Sequence, residues 1–332
     1  MDIEALQRRR EERRRAIRRR RRSVLAAFAL VLAIAIVVVV LVSGGSSSND
    51  SRAGDAQVSS SDRAARSRSP SGASQHTVTK SGTPGGGVAT GRPGTAAVPI
   101  LMYHVIASAP AGAPFPGLYV TPEEFSAQMH ALARAGWTAV TQDQVEAYWR
   151  RGISLPRGKP IVVSFDNGYQ SQYTNALPVL RSLGWAGNEN IQLTGLPPSQ
   201  GGLSRRQVRG LIAAGWELDT QGISHADLIT LDAQQLREQT AGARKTIERR
   251  YGVPVNWFCY PSGHYDATVV AAVKAAGFVG STTVVPGWAK AGGDPYRLPR
   301  LRVLGGTSAQ ALLSELAAIR SDQSPPASYN GT

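Results

Sequence analysis

The sequence predicts an α/β domain of barrel type, held outside a membrane by one N-terminal helix and a long tether. Three observations lead there. From Val98 onward, β-branched apolar runs alternate with amphipathic segments about seven times over roughly 220 residues, which argues for a barrel-like or doubly wound sheet, the barrel being preferred. Four polar clusters fall just after predicted strands, where α/β folds place their chemistry: His104, Asp166 with Asn167, Gln221 with His225, and Ser262-Gly263-His264. Residues 24–42 contain no charged or polar side chain, and a helix of that length, at about 1.5 Å per residue, nearly crosses a ~30 Å hydrocarbon core.

The formal charge of +14 is unevenly spread. Residues 1–22 carry eleven arginines against Asp2, Glu4, Glu11 and Glu12, a net of +7, so half the excess abuts the apolar run. By the positive-inside rule this basic cytoplasmic segment orients the anchor, 23–43, with the remainder of the chain outside. The run is longer than a signal-peptide core and no A-x-A site follows it, which favours an uncleaved anchor. Arginines beside a membrane span are explained by anionic headgroups, and no nucleic-acid partner is expected. Residues 44–96, rich in Ser, Gly and Arg, lack the apolar surface to offset ordering entropy and read as a disordered linker. A folded domain over 97–305 and a C-terminal helix and tail over 306–332 complete the chain. Cys259 is the only cysteine, so no intrachain disulfide forms.

Within the domain, Val98 to Tyr103 is an apolar strand running into His104. Thr121-Pro122-Glu123-Glu124 combines an N-cap, a first-turn proline and a capping-box glutamate, and Phe125, Met129 and Leu132 follow at helical spacing up to Gly136. A brief strand at Thr138 to Thr141 and a helix at Asp143 to Arg151 come next. Ile161 to Phe165 reads as the central buried strand, delivering Asp166 and Asn167 to its carboxyl end. Tyr173, Leu177, Leu180 and Leu183 mark a helix closed by Gly184. Ile191 to Thr194 reads as a strand, Ser204 with Gln207 caps another helix, and Trp216 to Leu218 is a strand. A long helix is expected from Ala233 to Arg250, then strand Val255 to Tyr260, helix Ala267 to Ala276 and strand Phe278 to Thr283. Leu298 to Val303 and an amphipathic helix from Ser308 to Ile319 end the domain.

Pro99-Ile100-Leu101-Met102-Tyr103-His104, Val120-Thr121-Pro122-Glu123 and Ser164-Phe165-Asp166-Asn167-Gly168-Tyr169 resemble the opening motifs of polysaccharide deacetylases, the NodB-homology group or carbohydrate esterase family 4. Ala214 to Leu218, Ser224-His225, Phe258 to Asp266 and Leu298-Pro299-Arg300-Leu301 extend the resemblance, which is nearest to the poly-N-acetylglucosamine deacetylase-like subgroup. It implies a distorted (β/α)7 barrel that removes acetyl groups from polymers such as peptidoglycan or poly-N-acetylglucosamine with a divalent metal, usually zinc. Residue by residue, it makes Asp166 the catalytic base, His104 the acid, and Ser262, after Pro261, a backbone contact to the oxyanion. Tyr103, Tyr169, Pro261 and Tyr265 are expected to line the substrate, with Trp185 and Trp288 as further candidate stacking surfaces.

The chain departs from the family at the metal. The family's Asp-His-His triad falls on Asn167, Gln221 and His225, so two ligands become neutral amides and weak or absent zinc binding follows. Asp219 and His264, with His225, offer an alternative shifted site. Two functional readings stay open: a membrane-anchored extracellular deacetylase of amino-sugar polymers, and a catalytically impaired, glycan-binding relative in the cell envelope.

Overall fold

The computed structural model describes residues 91–194, 196, 201–319 and 324–331. The expected cytoplasmic segment and anchor lie outside the described residues, as does the linker up to residue 90. Among the described residues no helix is long and apolar enough to cross a membrane. The last linker residues are tied to the domain: Gly94 N–H donates to the Tyr148 carbonyl at 2.8 Å, and Trp149 Nε1 donates to the Ala96 carbonyl at 2.8 Å.

The strands are β1 (Val98–Tyr103), β2 (Val105–Ile106), β3 (Tyr119–Val120), β4 (Trp137–Ala139), β5 (Lys159–Asn167), β6 (Asn188–Ile191), β7 (Glu217–Thr220), β8 (Trp257–Cys259), β9 (Gly280–Thr282), β10 (Trp288–Ala289) and β11 (Leu301–Arg302). A curled sheet runs β1-β5-β6-β7-β8-β9 with every neighbour parallel, and β11 lies parallel to β1 on its other side. A single parallel bridge, Thr282 to Leu298, links β9 to the segment leading into β11. The result is a curled parallel half-barrel with helices packed outside it.

Alternation along β5 does the sorting. Ile161, Val163 and Phe165 enter the layer between sheet and helices, with Leu101, Tyr103, Phe125, Met129 and Leu132. Ser164 and Asp166 take the other face, toward the curl's interior. Phe165 stacks on Trp216 with ring centroids 4.9 Å apart and contacts Tyr103 at 5.8 Å, which fixes the strand that carries Asp166.

Caps place the helices as the sequence implies. Thr121 and Glu124 form the capping box of α1 (Pro122–Arg134), and Thr141 and Gln144 that of α2 (Gln142–Arg151). Ser204 and Gln207 open α4 (Arg205–Ala213), which follows α3 (Leu177–Ser182). The later helices are α5 (Ala233–Arg237), α6 (Ala243–Tyr251), α7 (Ala267–Ala275) and α8 (Ala309–Ala318).

Three expectations are corrected and three strands are added. The helix through Tyr173 begins as a π-turn, Gln172–Ala176, and the long helix from Ala233 is broken by a second, Glu238–Gly242. The strand expected at Ile191 to Thr194 is β6, three residues earlier, with the sequence Asn-Glu-Asn-Ile. Its polar residues lie 0–1 % exposed, so an apolar-run criterion passes over it. The strands β2 and β3 pair with each other, and β10 runs antiparallel to β1; none of the three was anticipated.

Glu189, beside Phe165 and Leu218 in the sheet register, is fully buried, and neither carboxylate oxygen has a partner. Burial, reinforced by the Asp166 charge, lifts its pKa well above the usual carboxylate range. The folded chain therefore holds a proton that the unfolded chain releases near pH 4.5, and stability falls as pH rises above that value. Glu189→Met is expected to raise the unfolding free energy at pH 8 by about 1–3 kcal/mol and to flatten its decline between pH 5 and 8, as measured by urea denaturation.

Candidate active site

Asp166 sits at the carboxyl end of β5 with its side chain 2 % exposed. Arg300 grips it with both arms: Nη1 donates to Oδ1 and Nη2 to Oδ2, each at 2.8 Å. The other guanidinium donors are also used. Nε reaches the Thr283 carbonyl at 2.8 Å, Nη1 the Ser164 hydroxyl at 3.2 Å, and Nη2 the Cys259 sulfur at 3.2 Å. Asn190, from β6, donates a further bond to Asp166 Oδ1 at 2.9 Å.

Burial alone would raise the Asp166 pKa, but Arg300, followed by His104 and Asn190, outweighs it and holds the carboxyl well below its usual range. Asp166 is ionised at any physiological pH and is a weak proton acceptor. Burial pushes the Cys259 thiol up to about 12, so its sulfur stays protonated, 3.5 Å from Asp166 Oδ2.

His104 leaves β1 with Nε2 3.9 Å from Asp166 Oδ2, and its Nδ1 is buried without a partner. Burial lowers its pKa to about 4, against the pull of Asp166 and with the push of Arg300. The imidazole is therefore neutral near pH 7. Gln172 holds the two residues in register, Nε2 donating to the His104 carbonyl at 2.9 Å and the Asp166 carbonyl at 2.8 Å. Gln172 opens the first π-turn. In the second, Gln239 Oε1 accepts from the N–H groups of Ile223 and Ser224, steadying the loop that carries His225. Each π-turn thus aims a glutamine at a loop of the site, a frequent use of such turns.

Asn167 (φ 78°), His225 (φ 51°) and Ser262 (φ 56°) are the only non-glycine residues with left-handed φ among the described residues. Such backbone costs roughly 1–2 kcal/mol per residue and gathers at functional sites. Its confinement to three of the anticipated positions marks the same strand ends as the side-chain geometry.

The anticipated substrate residues fare differently. Tyr103 is fully buried with its hydroxyl on Gln128, so its ring is core packing and not a sugar platform. Tyr265 is corrected likewise: it is 1 % exposed, stacked on Tyr260, with its hydroxyl on the Pro326 carbonyl of the C-terminal tail. Pro261 is buried and Ser262 exposed. Tyr169 is 9 % exposed and packs with Val105 and Tyr119, and Trp185 belongs to the core. Trp288 packs against Trp137.

The positions implied for zinc offer two amide oxygens and one imidazole nitrogen, with no anionic ligand. The Asn167 amide nitrogen is already bound to Gln192 Oε1 at 2.7 Å. Asp219 accepts from the Trp257 N–H at 2.9 Å and His264 Nδ1 lies 3.1 Å from Asp227 Oδ1, so the shifted site is not assembled. Among the described residues no three His, Cys, Asp or Glu side chains are grouped to hold a metal. These donors do not fit a zinc ion.

Sequence reasoning missed Asn190, Gln172, Gln192 and the role of Arg300. The signal was available in outline: a polar strand amid apolar ones, and an arginine between Pro299 and Leu301 in a segment otherwise read as buried.

Residues 155–281 match the polysaccharide deacetylase family model, a span from just before β5 to β9 that excludes His104 and Arg300. YxkH of Bacillus subtilis (strain 168), described among the polysaccharide deacetylases, is 27 % identical over 226 residues, covering 68 % of this chain and 78 % of that one. BC0361, a polysaccharide deacetylase from Bacillus cereus, superposes with a TM-score of 0.59 at 27 % identity, covering 67 % of this chain and 69 % of its own. The Streptococcus pyogenes deacetylase PplD, solved in complex with acetate, superposes at 0.61 with 23 % identity, covering 67 % of this chain and 99 % of its own.

Two outcomes follow from the geometry. Arg300→Met strands an ionised, buried carboxylate and is expected to cost about 3–5 kcal/mol in urea unfolding, most of it recovered in Arg300→Met/Asp166→Asn; additive single costs would show the pair uncoupled. Because His104 binds its proton less readily when folded, stability is lost as pH falls from about 6.5 toward about 4. His104→Gln should remove about 2 kcal/mol of the loss between pH 7 and pH 5, read from unfolding midpoints.

Proposed function

The chain carries a polysaccharide deacetylase domain, and on that premise we propose that it hydrolyses acetyl groups, as amides or esters, on amino sugars of a cell-wall or exopolysaccharide such as peptidoglycan or a poly-N-acetylglucosamine. The observation that carries this reading is the approach of His104 to Asp166, 3.9 Å apart at the carboxyl ends of two adjacent parallel strands.

In the hydrolysis a water oxygen bonds to the acetyl carbonyl carbon, the bond from that carbon to the sugar nitrogen or oxygen breaks, and the water's proton ends on the leaving group. Resemblance assigns the base to Asp166 and the acid to His104. With Asp166 clamped by Arg300 and His104 neutral, the imidazole is the stronger proton acceptor of the two. We assign it both transfers: Nε2 takes the water's proton and returns it to the leaving group, while the nearby Asp166 charge stabilises the imidazolium between the steps. Ser262, held left-handed beside buried Pro261, is the proposed backbone contact to the oxyanion.

A donor set of two amides and one imidazole forgoes the several kcal/mol that a zinc ion contributes by polarising the carbonyl, so turnover is expected to be slow. The same donor set favours a second reading, a glycan-binding module of the envelope with negligible hydrolysis. In either case the arginine-rich segment followed by an uncharged run supports placement of the domain outside a membrane on a single-pass anchor.

Acetate release from N-acetylated chitin oligomers and from acetylated peptidoglycan, assayed with the full-length chain in mild detergent, separates the readings. Slow release that disappears in His104→Ala and falls at least tenfold in Asp166→Asn is the expected result. Glycan retention with no acetate released would transfer the conclusion to the binding module.

A further inference from the structure

The three strand ends that meet beside Asp166 carry carboxamides: Asn167 as the last residue of β5, Gln192 after β6 and Gln221 after β7. Backbone bonds place them side by side. The Gln192 N–H donates to the Asn167 carbonyl at 3.3 Å, and the Gln221 N–H to the Ile191 carbonyl at 2.9 Å. All three side chains are covered, Asn167 at 7 %, Gln192 at 6 % and Gln221 at 2 % exposure. Alternation along β7 puts Gln221 on the same face as Asp219, toward the interior of the curl and one pleat closer to its mouth.

The directions of the Gln192 and Asn167 amides follow from their neighbours. The Thr194 carbonyl can only accept, so Gln192 meets it with Nε2, at 2.8 Å. That turns Gln192 Oε1 toward Asn167, which must then donate with Nδ2. Asn167 Oδ1 is consequently directed away from Gln192 and left for a ligand. Gln221 Oε1 is buried and has no partner at all. Two neutral carbonyl oxygens thus belong to the strand ends on either side of Gln192, one of them bearing an unmet hydrogen bond that costs about 1–3 kcal/mol until a donor arrives. A cavity of about 240 Å³ lies beside the middle amide, with Gly168, Ile191 and Gln192 in its wall.

We propose that Asn167, Gln192 and Gln221 form a neutral hydrogen-bonding rim that replaces a metal centre and captures the acetamido N–H or a hydroxyl of an N-acetylated amino sugar through Gln221 Oε1 and Asn167 Oδ1. Gln192 positions Asn167 and does not itself touch the ligand. Because Arg300 neutralises Asp166, the site offers a free-amine sugar no net negative charge, and it favours the acetylated over the deacetylated chain. The proposal rests on the reading that the ligand is an acetylated glycan.

The test is binding of the chitin tetramer and of its fully deacetylated counterpart to the full-length chain, by calorimetry in excess EDTA, for wild type and Gln221→Leu, with Zn2+ and Ca2+ titrated separately. The tetramer is expected to bind in EDTA, more tightly than its deacetylated form. Gln221→Leu should weaken it at least tenfold while leaving the melting temperature unchanged or higher, since the substitution removes an unpartnered polar group; a residue with only a structural role would move the two together. Wild-type affinity in Gln221→Leu, or near-stoichiometric metal on which tetramer binding depends, would overturn the rim and leave the glycan reading standing. Absence of tetramer binding in every arm would overturn both, through the substrate class.

Discussion

The Asp166–Arg300 pair is the contact on which the rest of the site depends. Removing two full charges from water costs several kcal/mol per ion, and their mutual attraction offsets this only when the remaining donors and acceptors are satisfied. Here they are: each guanidinium N–H has an acceptor, and each carboxylate oxygen has at least one donor. The demand reaches far along the chain. It recruits Ser164 and Asp166 from β5, Asn190 from β6, Cys259 from β8, Thr283 just beyond β9 and Arg300 ahead of β11, so a single ion pair binds five regions of the sheet into one arrangement. The arginine also draws the last segment against the first strand, where parallel pairing with β1 continues the curl.

Below that pair the interior stays polar. Glu217 Oε2 accepts from the Asp143 N–H, while the Asp143 carboxylate receives Asn256 and the Trp257 indole. Burial raises the pKa of both Glu217 and Asp219, and one oxygen of each lacks a partner. A proton shared between these neighbouring carboxyls on one strand face accounts for both facts. Around Asp219 the half-barrel is thus filled by hydrogen-bonded and protonated acids, beside an apolar cluster of Val98, Ile100, Val162, Trp257 and Leu298. The two larger aliphatic and aromatic clusters pack under the helices. Such a polar interior tolerates few substitutions, because each buried group left unpaired carries its full desolvation cost.

Much of this was legible in the sequence. The strand ending in Asp166-Asn167, the capping boxes of α1 and α4, and the clusters at strand ends all declare themselves through local chemistry: period, caps and glycine stops. What stayed hidden was set by tertiary context. The polarity of Asn188, Glu189 and Asn190 argues against a buried strand, and only tertiary context, such as the bond from Asn190 to Asp166, shows that it is one. The π-turns at Gln172 and Glu238 have no distinctive residue pattern, and each carries a glutamine that reaches backbone groups in a neighbouring loop. Tyr103 and Tyr265 were misjudged for a related reason. An aromatic next to a strand-end motif points to either side of the sheet, and only packing against Phe125 or Tyr260 decides which.

The neutral amides at Asn167 and Gln221 and the clamp on Asp166 are electrostatically consistent with each other. As arranged, the site holds one negative charge on Asp166, one positive charge on Arg300, neutral imidazoles at His104 and His225, whose pKa values are lowered first of all by burial, and uncharged amides at Asn167, Gln192 and Gln221. Its net charge is zero. A divalent cation added to this set would leave two positive charges uncompensated in a poorly hydrated pocket already containing a guanidinium, a far larger penalty than the same ion meets among carboxylates. Restoring an aspartate at 167 alone would instead leave an uncompensated negative charge, with Arg300 already fully engaged. The two amide positions differ electrostatically: the amide at 167 carries one negative charge fewer than an aspartate would, whereas the amide at 221 carries the same zero charge as a neutral imidazole, so the charge balance of the site turns on position 167.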